Sequence, residues 1–316
     1  MKRIAVVGAG AIGGFLAAAL ARAGNPVAIV ARGEHAAAIR RDGLSVESDL
    51  GAFSAPVTVS DDLRTLGAFD FLLLAFKAHQ WPSLLDQVAP FAGTDTPVVT
   101  MQNGVPFWYV REPALRSVDP RGMIGDLFPD TQVIGSVVHV SGEVLAPGRV
   151  RQSGGLRYVL GDPGGRCGDR TAELVKLFND AGLAAEADPE IRQTVWLKLV
   201  NNVGLNAVSV LRNMTIKPML EDPQAREEVG RLMTEALRVG QAMGVVGKVD
   251  VDARIAYAAR LDNVKTSMLQ DFEHRRPLEI DPILGAVCEL GDRYGVATPE
   301  VRKAYDALAR LNTTQI

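Results

Sequence analysis

The stretch KRIAVVGAGAIGGFLAAALARAGNPVAIVAR, residues 2–32, decides the fold. KRIAVV carries an apolar run too short for a helix, as a strand buried on both faces of a parallel sheet would be. Gly8, Gly10 and Gly13 follow at GxGxxG spacing, with Ala9, Ala11 and Ile12 between them, and an alanine-rich helix is predicted to about Arg22. Gly24 stops that helix, and PVAIVAR predicts a second buried strand. In such a unit the first glycine permits a tight turn and the second lets main chain approach a pyrophosphate. The third lets the helix pack close to its strand, and the helix N-terminus adds N–H groups and a positive dipole end. Glycines also serve ordinary turns, but their place between two apolar strands favours dinucleotide binding.

The end of the second strand chooses between nicotinamide cofactors. An acidic side chain there would bond the ribose 2′-hydroxyl and repel a 2′-phosphate. Arg32 stands at about that position, and a guanidinium grips phosphate through parallel hydrogen bonds. NADP(H) is therefore the expected cofactor. Glu34 follows closely as a weaker ribose ligand, and Arg40 and Arg41, one helix further on, read as a solvated face.

Two further runs look like strands, FDFLLLAFK (69–77), ending in Lys77, and PVVTMQNG (97–104), ending in Gln102-Asn103-Gly104. Open parallel sheets bind ligands beyond the carboxyl ends of their strands, where both segments deliver polar groups. Taken singly, Lys77 also reads as a solvated cation and Asn103 as part of an Asn-Gly turn. The aromatic, proline-punctuated segment 107–130 predicts loop or short helices near Asn103. Residues 132–160 predict antiparallel strands extending the first sheet.

After a helix at about 168–182 the pattern stays helical. Asp188-Pro189-Glu190 predicts a helix start, and the helix that follows reads EIRQTVWLKLVNNVGLNAVSVL. Lys198, Asn202 and Asn206 stand four residues apart and share a face of it. A lysine within so apolar a segment is costly unless it is paired or wet, so the stripe reads as a functional cluster, with a hydrogen-bonded structural network as the alternative. Downstream, Ser267 and Glu279 flank a helix break at Arg275-Arg276-Pro277. Glu279 is placed to pair with Lys198; otherwise it or Asp281 caps the next helix.

The chain's 316 residues exceed the roughly 250–300 of a single core. The expectation is an α/β protein with an N-terminal Rossmann-type dinucleotide-binding domain, residues 1–187, followed by an all-α C-terminal domain, residues 188–316. A formal net charge of −3 without basic runs argues against nucleic acid or anionic membrane as partner. Two cysteines, Cys167 and Cys288, make neither a disulfide framework nor zinc-ligand spacing. No metal is expected, and a reduced, cytoplasmic setting fits. The apolar N-terminus reads as folded strand and helix rather than a signal peptide, and no run of about 20 apolar residues predicts a membrane span. Oligomeric state, a homodimer included, stays open.

With these residues together, the chain resembles the ketopantoate reductase (2-dehydropantoate 2-reductase) family over essentially its whole length. The matches run from Gly8-Ala9-Gly10-Ala11-Ile12-Gly13 through Lys77, Gln102-Asn103-Gly104 and Trp196-x-Lys198-x3-Asn202-x3-Asn206. They continue to Ser267-Met268-Leu269-Gln270-Asp271 and Glu279-Ile280-Asp281. The resemblance implies NADPH-dependent reduction of a small 2-oxo acid, 2-dehydropantoate to pantoate, as in pantothenate biosynthesis. It implies that Lys198 is catalytic with Glu279 as its carboxylate partner. Asn103, Asn202, Asn206 and Ser267 would then hold the substrate, and Lys77, Arg32 and Asn103 would lie along the cofactor. The chain departs from the pattern at Ala207, where many members have proline, and in the length of 107–130. The alternatives are reduction of a bulkier 2-oxo acid, a 3-hydroxy-acid dehydrogenase, and a non-catalytic NADP-binding sensor.

Overall fold

The computed structural model describes residues 1–260 and 263–315. They form two compact units, Met1–Gln102 with Met123–Ile191, and Asn103–Gly122 with Arg192–Ile316.

The first unit opens with β1 (Ile4–Val7), α1 (Ala11–Arg22), β2 (Val27–Val30) and α2 (Gly33–Asp42). Then come β3 (Leu44–Ser48), β4 (Gly51–Ala55), β5 (Thr58–Ser60), β6 (Phe71–Leu74), α3 (Trp81–Val88) and β7 (Val98–Thr100). The unit resumes with α4 (Met123–Leu127), β8 (Val133–Ala146), β9 (Arg149–Gly161), α5 (Asp169–Asp180) and β10 (Ala184–Ala187). The strands make one sheet in the order β4-β3-β9-β8-β7-β6-β1-β2-β5, with β10 on β9. From β8 through β5 the pairs run parallel, and IAVV, FLLL and VAIV are buried along their whole length. That is why these strands are apolar at every position instead of alternating.

The predicted antiparallel extension is the β8–β9 pair. β9 also carries β3 in parallel, and β3 pairs antiparallel with β4. This β3–β4 hairpin is a feature the sequence reading does not contain. β10 is another: Ala184–Ala187 has little strand preference of its own and becomes a strand by pairing with β9. The core gathers Phe15, Leu16 and Leu20 of α1 with Tyr158 and Phe178, whose rings meet edge to face with centroids 5.1 Å apart.

The second unit is helical: α6 (Ile191–Arg212), α7 (Ile216–Glu221), α8 (Pro223–Ala242), α9 (Val251–Ala258), α10 (Ser267–Glu273), a π-helical segment Asp281–Gly285, α11 (Ala286–Tyr294) and α12 (Pro299–Gln315). α6 begins one residue past the expected Asp188-Pro189-Glu190. The Asp188 N–H continues the strand pairing by donating to the Leu160 carbonyl at 2.7 Å, and its carboxylate accepts from the Glu190 N–H at 2.8 Å.

A division at 187/188 leaves out one exchange, for Asn103–Gly122 packs with the helices. Tyr109 Oη donates to the Arg192 carbonyl at 2.7 Å, and the Arg192 guanidinium returns a hydrogen bond to the Tyr109 carbonyl. Farther along, the Glu289 carboxylate accepts from the Arg116 and Ser117 N–H groups at 2.9 and 3.0 Å and from Ser117 Oγ at 2.9 Å. No helix among the described residues is long and apolar enough to cross a membrane.

Candidate active site

In the first unit, the loop between β1 and α1 separates glycines that the fold needs from one that it does not. Gly8 has φ +109°, and a Cβ there would lie 2.8 Å from the Ala75 carbonyl oxygen. A Cβ on Gly13 would lie 2.0 Å from the Gly8 oxygen. Gly10 has ordinary extended backbone, and a Cβ on it would meet nothing within 4 Å. Packing does not demand that glycine; a ligand lying against the main chain would. Gly10 is also the N-cap of α1, supplies no side chain to the first turn, and is followed by no acidic residue there. The open N–H groups at this helix start suit an anion. The loop therefore fits a dinucleotide pyrophosphate.

Arg32 is the exposed N-cap residue of α2, at the carboxyl end of β2. Arg41 pairs with Asp42 at 2.6 Å, in keeping with a solvated face. Lys77 is half-buried just past β6, and its N–H donates to Gln80 Oε1 at 2.9 Å.

In the second unit, α6 is held in rotation by Trp196. This side chain is fully buried, donates from Nε1 to the Ala236 carbonyl at 3.0 Å, and stacks on Tyr109 with ring centroids 5.9 Å apart. Gly240 of α8 makes the room, since a Cβ there would sit 2.1 Å from Trp196 Nε1. Lys198, two residues on, lies about 200° around the helix from that anchor. Arg254 of α9 pins a further face, donating to the Leu197 carbonyl at 2.8 Å and to Asn201 Oδ1 at 3.0 Å.

Lys198 Nζ donates to Asn103 Oδ1 at 2.8 Å. Burial pushes the ammonium down to about 8, while the charge of Glu279 acts in the opposite direction. Glu279 is only 5% exposed. Asp281, the other expected cap, accepts instead from Tyr305 Oη at 2.7 Å. What brings Asn103 here is its neighbour Gly104. This glycine has φ +87°, and a Cβ on it would fall 2.4 Å from the Pro282 carbonyl oxygen. The Val105 N–H donates to that same oxygen at 2.7 Å. The Asn-Gly pair thus docks main chain to main chain against the segment that carries Glu279.

Asn206 is buried and Asn202 half-buried, one turn apart on α6. One turn later Ser209 Oγ donates to the Asn206 carbonyl at 2.8 Å and meets Thr266 Oγ1 at 2.6 Å. Thr266 caps α10 by accepting from the Leu269 N–H at 3.1 Å. This chain of hydroxyls fixes the start of α10, where Ser267 stands exposed.

The structure thus gathers Asn103, Lys198, Glu279, Asn202, Asn206 and Ser267 in one unit, and the glycine loop, Arg32 and Lys77 in the other. Sequence reading misses the supports: Gly240 under Trp196, the Ser209–Thr266 link, Arg254 and the Gly104–Pro282 contact. Only Gly104 carries a visible signal, as half of an Asn-Gly pair.

The family described as "Ketopantoate reductase PanE/ApbA" matches residues 4–165, and its C-terminal counterpart matches residues 190–312. The 2-dehydropantoate 2-reductase of Mesorhizobium japonicum is 41% identical, covering 98% of this chain and 97% of that protein. A Ralstonia solanacearum MolK2 protein whose crystal structure bears the ketopantoate reductase name superposes with a TM-score of 0.93 at 36% identity, over 100% of this chain and 99% of its own. The crystal structure of 2-dehydropantoate 2-reductase from Methylococcus capsulatus superposes with a TM-score of 0.83 at 30% identity, covering 99% and 97% of the two chains. The chain belongs to the ketopantoate reductase family.

Proposed function

We propose that this protein reduces 2-dehydropantoate to pantoate with NADPH, using Lys198 as the proton donor. The observation that carries this reading is the Lys198 ammonium, held by Asn103 Oδ1 at 2.8 Å and pushed down to about 8. An acid of that strength is mostly protonated at neutral pH yet parts with its proton readily.

Bound NADPH supplies the hydride for the ketone carbon. As charge builds on the ketone oxygen, Lys198 stabilises it and delivers a proton from Nζ. Asn103 accepts one ammonium N–H and so orients Nζ. The buried Glu279 carboxylate favours the charged lysine before reaction. Asn202, Asn206 and Ser267 offer donors to the substrate carboxylate and acceptors to its hydroxyl. Arg32 would grip the 2′-phosphate, Lys77 would lie along the cofactor, and the glycine loop would take the pyrophosphate.

The test is consumption of NADPH by the purified protein, offered 2-dehydropantoate and, in parallel, bulkier aryl and branched 2-oxo acids. Turnover confined to another acid would refute the substrate, and NADPH binding without turnover of any acid would refute the enzyme.

A further inference from the structure

His35 does work that the family resemblance does not assign. It sits in the first turn of α2, three residues after Arg32, and is half-buried. Its Nδ1 accepts from the Gly148 N–H at 3.0 Å. Gly148 is the turn between β8 and β9, at φ +74°, and its own carbonyl accepts from the Ser45 N–H at 2.9 Å. A ring nitrogen that accepts carries no proton, so the neutral ring bears its hydrogen on Nε2. Burial lowers the pKa of this histidine and so favours that neutral form.

Nε2 is sealed from solvent and closes no hydrogen bond of standard geometry among the described residues. The Ala9 backbone acts on this ring and opposes the larger effect of burial. Ala9 lies inside the glycine loop, and no main-chain N–H among the described residues bonds its oxygen. That oxygen lies 3.8 Å from where a Cβ of Gly14 would stand, so it points back over α1. The open side of the loop is at Gly10, where a Cβ would meet nothing within 4 Å.

The Ala9 carbonyl and the Gly10 N–H are the two ends of one planar trans peptide unit, so they point in opposite directions. We propose that His35 is a positioning residue for the cofactor loop: by holding the Ala9 oxygen from behind, it aims the Gly10 N–H at the bound diphosphate. With the diphosphate bound, Nε2–H would donate to the Ala9 oxygen. The Gly148 bond on the other side of the ring keeps the imidazole in the tautomer this requires. The inference rests on the reading of the loop as a dinucleotide site.

Three variants of the full-length protein test it: His35→Leu, His35→Asn and His35→Gln. Asparagine keeps an acceptor where Nδ1 stands and loses the donor at Nε2, whereas glutamine places a donor near Nε2. Each is titrated with NADPH and with adenosine 2′-monophosphate, which carries the 2′-phosphate but no diphosphate, and thermal midpoints are recorded. His35→Leu and His35→Asn are expected to weaken NADPH about tenfold or more. His35→Gln should stay within about threefold of wild type, and adenosine 2′-monophosphate should change less than about twofold throughout. The proton donor is untouched, so kcat at saturating NADPH should hold. The proposal is overturned if His35→Leu binds NADPH as wild type does. It is equally overturned if glutamine rescues no better than asparagine, or if both ligands weaken in parallel with the thermal midpoint. Failure of the wild type to bind NADPH would instead sink the dinucleotide reading, and this inference with it.

Discussion

Lys198 and Asn103, 95 residues apart in sequence, meet in a hydrogen bond of 2.8 Å from Nζ to Oδ1. The asparagine oxygen is a neutral acceptor. It orients the ammonium without adding a charge of its own. Burial outweighs the opposing Glu279 charge, and the lysine falls to about 8.

Replacing Lys198 with methionine keeps the bulk of the side chain and removes the proton. Steady-state kinetics should show kcat lower by about 10²–10⁴-fold, with NADPH affinity within about twofold, because the glycine loop and Arg32 are unchanged. A variant within a few-fold of wild-type kcat, with chemistry shown to limit turnover, would remove Lys198 from the mechanism.

The lysine also sets a pH signature. With Lys198 as the proposed proton donor, reduction needs its ammonium, so kcat should fall as pH rises through about 8 instead of near the ordinary lysine value of 10.5. Oxidation of pantoate needs the neutral amine and should rise over the same range. Glu279 raises this pKa, so Glu279→Gln should move the midpoint below 8. The folded pKa lies under the unfolded one, so between about 8 and 10.5 the unfolded chain binds more protons. Relative to Lys198→Met, wild type should thus gain stability with rising pH in that window. A reduction profile flat to pH 10 would contradict the assignment.

Two glycines should fail in opposite ways. Gly104→Ala forces a side chain into φ +87° and within 2.4 Å of the Pro282 oxygen. Positive φ alone costs about 1 kcal/mol, so melting temperature and kcat should both drop. Gly10→Ala adds a methyl that meets nothing within 4 Å, so melting should be unchanged while NADPH binding weakens about tenfold or more. Loss of stability in Gly10→Ala with cofactor affinity intact would reverse the interpretation of both.

Arg32→Ala separates the two nicotinamide cofactors. Only NADPH carries a 2′-phosphate, so its affinity should fall by about 1.5–3 kcal/mol while NADH is nearly unaffected. Calorimetric titration of each cofactor decides this, and equal losses would place the phosphate contact elsewhere.

The sequence by itself determined the dinucleotide-binding half and the identity of the polar stripe. Gly8, Gly10 and Gly13 stand between strands whose every residue is apolar, and local spacing suffices to recognise that unit. Lys198, Asn202 and Asn206 are legible because helical periodicity alone puts them on one face. The β3–β4 hairpin and β10 were not legible, since Ala184–Ala187 has little strand preference of its own and pairs only because β9 offers an edge. Nor could a linear boundary show that Asn103–Gly122 leaves the first unit for the second. That exchange depends on Gly104 meeting Pro282, Tyr109 meeting Arg192 and Glu289 meeting Ser117. Each is a contact between residues far apart in the chain, paid for by burial and hydrogen bonding that exist only once the helices have packed. The sequence thus named the lysine, and only the tertiary structure decided its partners and its acidity.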